Sequence, residues 1–277
     1  MVEYNPSLRE VPDFSDAKVV VLDVDGFLVE TYLYEFAQSA LMLRRYGMLP
    51  EQAGLSLDED WVLPPSASEE LLTRVYRASA GSNGDPIRHY QILLDREDLG
   101  PQFTAWHEQG VDLLKSAVFP YKGATNFLEQ LAHSDKKTAI WTSRDRKLVR
   151  PDLLPSIILP PGTGPRKHGY FDLEITADDV GVDTEGLRRL KPDTAGMEII
   201  AGHFGVDYTE IVMGGDRPSD AMAASLGCMA ISLDSGFLKG ERQKYWDAGS
   251  HAIVSDLREV HRLIFPEAEI DYTVSRS

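Results

Sequence analysis

The chain has 277 residues, and 44 aspartates and glutamates outnumber 28 lysines and arginines, which gives a formal net charge of -16. A negative field of this size repels polyanions, so nucleic acid and anionic membrane surfaces are excluded as expected partners. The single cysteine, Cys228, excludes an internal disulfide and a thiolate metal cluster. The sequence shows no N-terminal signal segment and no apolar run of the ~20 residues that cross a bilayer, so we expect a cytoplasmic protein.

Short apolar runs that end in polar residues recur along the chain. The first is Lys18–Val24, and similar runs follow at Thr138–Thr142, Leu173–Thr176, Ile211–Met213, Met229–Leu233 and Ala252–Val254. Stretches with helical spacing, such as residues 124–131 and 197–204, separate several of these runs. This alternation predicts an α/β fold with a parallel sheet, with chemistry at the strand ends.

The strand signal disappears between residues 31 and 115. Four helical stretches follow one another there, with stops at Gly47, Gly81 and Gly100. The sequence therefore predicts a helical domain, residues 31–115, inserted into a catalytic core made of residues 1–30 and 116–277. Five prolines crowd residues 151–165 and predict an irregular surface loop.

Pairs of aspartates follow two of the predicted strands. Asp23 and Asp25 come at the end of the first run, and Asp216 and Asp220 follow Ile211–Met213. Several carboxylates at neighbouring strand ends would repel one another unless a hard cation neutralised them, and oxygen-only ligands suit Mg²⁺. The alternative is that each pair forms an acidic turn or caps a helix.

Two further residues could complete a phosphate site. Thr142 stands at another strand end and offers a hydroxyl donor, and Lys191, in the stretch LKPD, offers a fixed cation. A threonine or a lysine at such a position more often has no catalytic role. A phosphate site is therefore indicated by the order of these residues and the aspartates along the chain.

That order resembles the haloacid dehalogenase superfamily. Its four motifs are present in sequence as DVDGFLVE, AIWTSR, LKPD and MGGDRPSD, and the resemblance spans Lys18 to about Leu233. It implies a Rossmann-like core. The helical insertion after the first motif is similar to the C1 caps of the branch that contains phosphoglycolate phosphatases and β-phosphoglucomutases.

The resemblance also implies roles for individual residues. Asp23 would be the nucleophile, Asp25 the general acid and base, and Thr142 and Lys191 would hold the phosphate oxygens. Mg²⁺ would be held by Asp23, by the backbone carbonyl of Asp25 and by Asp216, with Asp220 supporting the metal or orienting the lysine.

Residues next to Thr142 and before Lys191 differ from the usual pattern. Ser143 replaces a frequent asparagine, and the segment GVDTEGLRRL precedes Lys191 as extra residues. Ser143 and Arg144 are expected to contact the substrate. Arginines and lysines at positions 144, 146, 147, 150, 166 and 167 could bind a second anionic group, and the alternative is a solvated surface with ordinary charges.

The predicted function is therefore Mg²⁺-dependent hydrolysis of a small organic phosphomonoester through an aspartyl-phosphate. Retention of Asp25 argues against a haloalkanoate dehalogenase, which lacks an acid at that position. Two alternatives stay open: a phosphomutase of the β-phosphoglucomutase type, and a protein that binds phosphorylated metabolites without turnover.

Overall fold

The structure is a computed structural model that describes residues 2–30, 78, 86–97, 119–121, 123–149, 165–166, 169–186, 188–234 and 242–268. The chain separates into two compact units, one formed by residues 1–30 and 120–277 and the other by residues 31–119. In the second unit the described helix α1, Pro86–Leu94, buries Tyr90, Leu93 and Leu94. The assignment of residues 31–115 as a helical cap stays a prediction.

The described strands are β1 Glu3–Tyr4, β2 Val19–Leu22, β3 Val29–Glu30, β4 Phe119–Pro120, β5 Lys137–Trp141, β6 Leu173–Ile175, β7 Ile211–Gly215, β8 Met229–Leu233 and β9 Ala252–Val254. The helices that follow α1 are α2 Ala124–His133, α3 Arg146–Val149, α4 Ala195–Phe204, α5 Pro218–Ala223, α6 Arg242–Asp247 and α7 Leu257–Ile264.

Seven of these strands form one sheet in the order β1-β9-β8-β7-β2-β5-β6, and β3 pairs with β4. The sheet is parallel except for β1, which pairs antiparallel with β9. In the centre, Leu22 of β2 aligns with Ile140 of β5 and with Gly214 of β7. The predicted parallel α/β sheet is confirmed, and it brings the carboxyl ends of β2, β5 and β7 to one edge, where ligands bind in open α/β sheets.

The core of the first unit lies on both faces of the sheet. All four residues of β2 are buried, as the central strand of a parallel sheet requires. The predicted apolar face of α2 is buried at Ala124, Phe127, Leu128 and Leu131. A buried aliphatic or aromatic side chain stabilises the fold by about 2 kcal/mol, so these contacts fix the helix on the sheet.

Helix α4 packs very closely on β5. A Cβ atom added at Gly196 would lie 2.2 Å from the ring of Trp141, so this helix position has no room for a side chain. Met197, Ile200 and Ala201 are buried as their spacing predicts, whereas Phe204 packs at the edge of the core and is partly exposed.

Arg166 closes the carboxyl end of α2. Its guanidinium donates to the carbonyl oxygens of Leu131, Ala132, Ser134 and Lys136 at 2.6 to 3.3 Å, and it pairs with Asp172. The Arg166 side chain is 8% exposed. This residue therefore satisfies carbonyls that a helix end leaves without partners, which favours a structural role over the binding of an anion.

Asp256 caps the amino-terminal end of helix α7. The Asp256 carboxylate accepts hydrogen bonds from the backbone N–H groups of Arg258 and Glu259. Glu259 reaches back to the N–H of Ser255 at 2.8 Å, one residue before the position that a standard capping box uses.

Some sequence predictions lie outside the described residues. They are the helical stretches of residues 31–77 and 98–115, the proline-rich loop up to residue 164, the side chain of Lys147, and residues 150 and 167. Among the described helices, none is long and apolar enough to cross a membrane.

Candidate active site

A buried ion-pair chain lies at the carboxyl edge of the central strands. The Nζ atom of Lys191 is 2.6 Å from Oδ1 of Asp23 and 2.6 Å from Oδ1 of Asp220. All three residues are at most 7% exposed. The Lys191 Nζ atom also lies 5.7 Å from the centre of the Trp141 ring, so an aromatic face covers another side of the cation.

Local backbone geometry brings the carboxylates together. Asp23 follows β2, Asp216 follows β7, and Asp220 lies in the first turn of α5. Gly26 has φ +78°, and a Cβ atom there would lie 2.2 Å from Oδ2 of Asp216. A Cβ atom at Gly215 would lie 2.3 Å from atoms of Asp220. Glycine at these two positions lets backbone approach the carboxylates directly.

The side chains of Asp23, Asp216 and Asp220 offer carboxylate oxygens that all lie within 4.8 Å of one another, and all three residues are buried. Three carboxyl groups surround the single ammonium of Lys191, so acidic groups outnumber basic ones inside the cluster. Oxygen ligands with a surplus of buried negative charge are the donor set of a hard divalent cation, so the residues fit Mg²⁺.

Burial and charge also shift the ionisation of this group. Burial raises the pKa of Asp23 to about 7, Lys191 opposes that rise, and the Asp220 and Asp25 carboxylates reinforce it. Burial alone would lower the pKa of Lys191, but the Asp220 and Asp23 carboxylates outweigh burial and raise it above its ordinary value. The lysine is therefore a permanent cation.

The extra segment before Lys191 does not keep this lysine out of the site. The extra residues before it form a loop whose two ends are paired with each other. Val182 bridges to Arg188, and the N–H of Arg189 donates to the Gly181 carbonyl at 3.1 Å. Lys191 therefore reaches Asp23 despite this extra segment.

Asp25 is bound by Arg144. The Arg144 Nε and Nη2 atoms lie 2.5 and 2.7 Å from the two carboxylate oxygens of Asp25, a bidentate pair. Both side chains are below one-fifth exposed. The structure thus pairs Arg144 with Asp25, the expected general acid. The expected contact of Arg144 with substrate stays a prediction.

Thr142 follows β5 and is buried, and Ser143 beside it is half-buried. The Thr142 hydroxyl oxygen accepts a hydrogen bond from the N–H of Arg144 at 3.2 Å, which leaves its own proton available to a phosphate oxygen. The expected contacts of Thr142 and Ser143 with phosphate stay predictions.

The other described arginines near this edge are paired with carboxylates. Arg146 contacts Glu174 and Asp179, and Arg188 contacts Asp145 and Asp178. This pairing favours the ordinary charged surface over a site for a second anionic group.

Tyr245 is a contributor that the sequence does not reveal. It lies on α6, is buried, and donates a hydrogen bond from its hydroxyl to the carbonyl oxygen of Asp216 at 2.6 Å. It therefore fixes the backbone that carries one of the cluster carboxylates. No motif surrounds Tyr245, so fold geometry was needed to find it.

Comparison with known families decides the assignment. A family model described as haloacid dehalogenase-like hydrolase matches residues 17–226. The chain belongs to this family. The predicted superfamily is therefore confirmed, and the matched range of this hydrolase contains every residue of the carboxylate cluster together with Lys191.

Relatives and solved structures agree with that assignment. The hydrolase is 28% identical over 230 residues to a phosphoglycolate phosphatase from Yersinia pestis, a match that covers 82% of this chain and 85% of the relative. A haloacid dehalogenase-like hydrolase from Bacteroides fragilis shares the fold with a TM-score of 0.62 at 16% identity, covering 88% of this chain and 99% of that one.

A third similar protein is the HAD-hydrolase YfnB from Bacillus subtilis, whose structure is bound to magnesium. Its TM-score is 0.59 at 12% identity, and the match covers 90% of this chain and 98% of that one.

Proposed function

We propose that this hydrolase cleaves small organic phosphomonoesters, with Asp23 as the nucleophile. The observation that carries the proposal is the buried carboxylate of Asp23, held 2.6 Å from the Lys191 ammonium among further carboxylates. The Yersinia pestis relative, a phosphoglycolate phosphatase, supports the phosphatase assignment.

Two displacements would complete the reaction. An Asp23 oxygen attacks phosphorus, the bond from phosphorus to the ester oxygen breaks, and Asp25 gives the departing alcohol its proton. Water then attacks the aspartyl-phosphate and Asp25 takes a proton from that water, which releases phosphate and restores Asp23. Thr142, Ser143 and Lys191 would hold the phosphoryl oxygens, because this chemistry depends mainly on positioning and charge neutralisation.

The same cluster would hold Mg²⁺ through the side chains of Asp23, Asp216 and Asp220 and through the backbone carbonyl of Asp25. Bound Mg²⁺ would neutralise charge and polarise a phosphoryl oxygen. Asp220 has a second task in this scheme. Its Oδ1 atom pairs with Lys191, and its Oδ2 atom accepts from the N–H of Arg217 at 2.9 Å, so it orients the lysine rigidly.

A small, soluble ester suits the rest of the molecule. The net charge of -16 disfavours nucleic acid and membrane-bound substrates, and the lone buried Cys228 is compatible with the reducing cytoplasm in which we place the enzyme. Residues 31–115 would act as the cap that admits the substrate. Phosphoglycolate is the first ester to test, because relatives carry that activity in their names.

The deciding experiment measures phosphate release from phosphoglycolate and a broad panel of other phosphomonoesters, with and without Mg²⁺. The native protein is compared with Asp23→Asn and with the matched control Asp207→Asn, which changes an aspartate before β7, at the opposite edge of the sheet. We expect Asp23→Asn to lose at least about 1,000-fold in kcat, since covalent catalysis depends on that oxygen. Asp207→Asn should retain activity.

Two other outcomes would replace the proposal. Isomerised ester without free phosphate would indicate a phosphomutase. Tight binding of phosphate esters to a folded native protein that releases no phosphate would indicate a binding protein without turnover.

A further inference from the structure

Arg144 makes a bidentate ion pair at the site, and the reaction scheme above gives this arginine no role. Its guanidinium binds both oxygens of one carboxylate, at 2.5 and 2.7 Å, and this carboxylate belongs to Asp25. A bidentate pair constrains orientation as well as distance, because the planar fork fixes the plane of the carboxyl group.

The backbone of Arg144 is fixed independently of that contact. Its N–H donates to the Thr142 hydroxyl oxygen at 3.2 Å, and its carbonyl accepts from the N–H of Ala177 at 2.9 Å. The neighbouring residue, Asp145, pairs with Arg188, which also lies 3.6 Å from Asp178. The loop after β5 is therefore joined to the loop after β6 at Arg144 directly, and at Asp145 through Arg188.

The backbone around Asp25 is also defined, but its side chain needs a partner. Asp25 forms a bridge with Val29, and the N–H of Gly26 donates to the Val29 carbonyl at 2.8 Å. These bonds fix the main chain but do not themselves restrict rotation about the side-chain bonds of Asp25. The guanidinium of Arg144 restricts that rotation.

We infer that Arg144 is a positioning residue for Asp25, and that it acts on proton transfer to the leaving alcohol and not on binding of the phosphoryl group. The inference rests on the proposed function and deepens it. General acid catalysis contributes on the order of 100- to 10,000-fold only when the acid is held within hydrogen-bonding reach of the departing oxygen.

The leaving group provides the test. Phenyl phosphate and p-nitrophenyl phosphate are nearly the same size, but phenolate is much the poorer leaving group and needs the proton more. We expect Arg144→Ala to lower kcat/KM for phenyl phosphate about 10-fold or more and kcat/KM for p-nitrophenyl phosphate less than about 3-fold. Arg144→Lys should restore little, because one ammonium cannot hold both oxygens in a plane.

Arg146→Ala is the matched control. It removes a cation two residues away that pairs with Glu174 and Asp179, so the ratio between the two esters should stay at its native value. Unfolding of each variant in urea is measured alongside, which separates loss of folded protein from loss of catalysis.

Three results would overturn the inference. An equal fall in kcat/KM for both esters, with a weaker inhibition constant for inorganic phosphate, would place Arg144 on the phosphoryl group. Unchanged kcat/KM of Arg144→Ala for both esters would show that Arg144 has no role in catalysis. A native protein that hydrolyses neither these esters nor the broader panel would refute the proposed function itself, and the inference with it.

Discussion

Replacing Arg166 with methionine should destabilise the core without changing catalysis. The guanidinium is 8% exposed and donates to four backbone carbonyls and to Asp172. Methionine keeps much of the apolar stem but removes every donor. The carbonyls at the end of α2 and the Asp172 carboxylate would then lose a buried partner.

The size of the effect follows from those contacts. Removing one member of a buried ion pair typically costs about 3–5 kcal/mol. Asp172 is 23% exposed on its side chain and still accepts from the N–H of Thr138 at 2.9 Å, which reduces the penalty. We therefore expect a loss of about 3 kcal/mol in the free energy of unfolding. For a core of this size, a loss of about 3 kcal/mol corresponds to a fall in Tm of roughly 6–12 °C.

Urea and thermal unfolding followed by circular dichroism would measure this loss, and phosphate release at low temperature would measure kcat and KM. Arg188→Met is the control, because that arginine is 48% exposed and its ion pairs should contribute at most about 1 kcal/mol. If Arg166→Met left stability unchanged and raised KM for a phosphate ester, our assignment of Arg166 as a structural cap would be refuted.

Two further predictions concern pH and backbone space. Burial, with the nearby charge of Arg262, lowers the pKa of His261 from 6.5 to about 4. As the pH falls, His261 is therefore protonated in the unfolded chain before it is protonated in the folded protein. Stability should therefore fall by up to about 3 kcal/mol as the pH drops from 6.5 towards 4, and urea unfolding of His261→Phe should show a flatter pH dependence. Gly26→Ala should lower kcat at least about 10-fold, because its Cβ would meet Asp216 at 2.2 Å. Gly181→Ala, at φ +70° with nothing within 4 Å, shares the backbone strain but should keep the native kcat, and equal losses in both would contradict the steric explanation.

The sequence predicts the parts of this fold that depend on local pattern. Buried parallel strands are continuous apolar runs, so the runs that begin at Val19 and Ile211 could be recognised, and the polar residues that end them mark the edge of the site. β1 escapes prediction because it is two residues long and owes its antiparallel pairing to β9 at the far end of the chain.

Long-range charge pairing was the part that sequence reasoning could not supply. Arg144 and Arg166 both look like spare cations near a strand end. The first binds Asp25, 119 residues away, and the second caps α2 from more than 30 residues away. Composition gives the number of charges, but the partner of each one depends on which loops the sheet brings side by side.

The order of strands has a consequence for synthesis on the ribosome. β2 emerges early, yet its two neighbours in the sheet are β5 and β7, and β7 ends at Gly215. The nascent strand that leads to Asp23 therefore gains its first neighbour only when β5 has been made, and its second edge stays unpaired until β7 follows. During that interval the apolar residues of β2 have an unpaired edge, which is the kind of surface that chaperones protect.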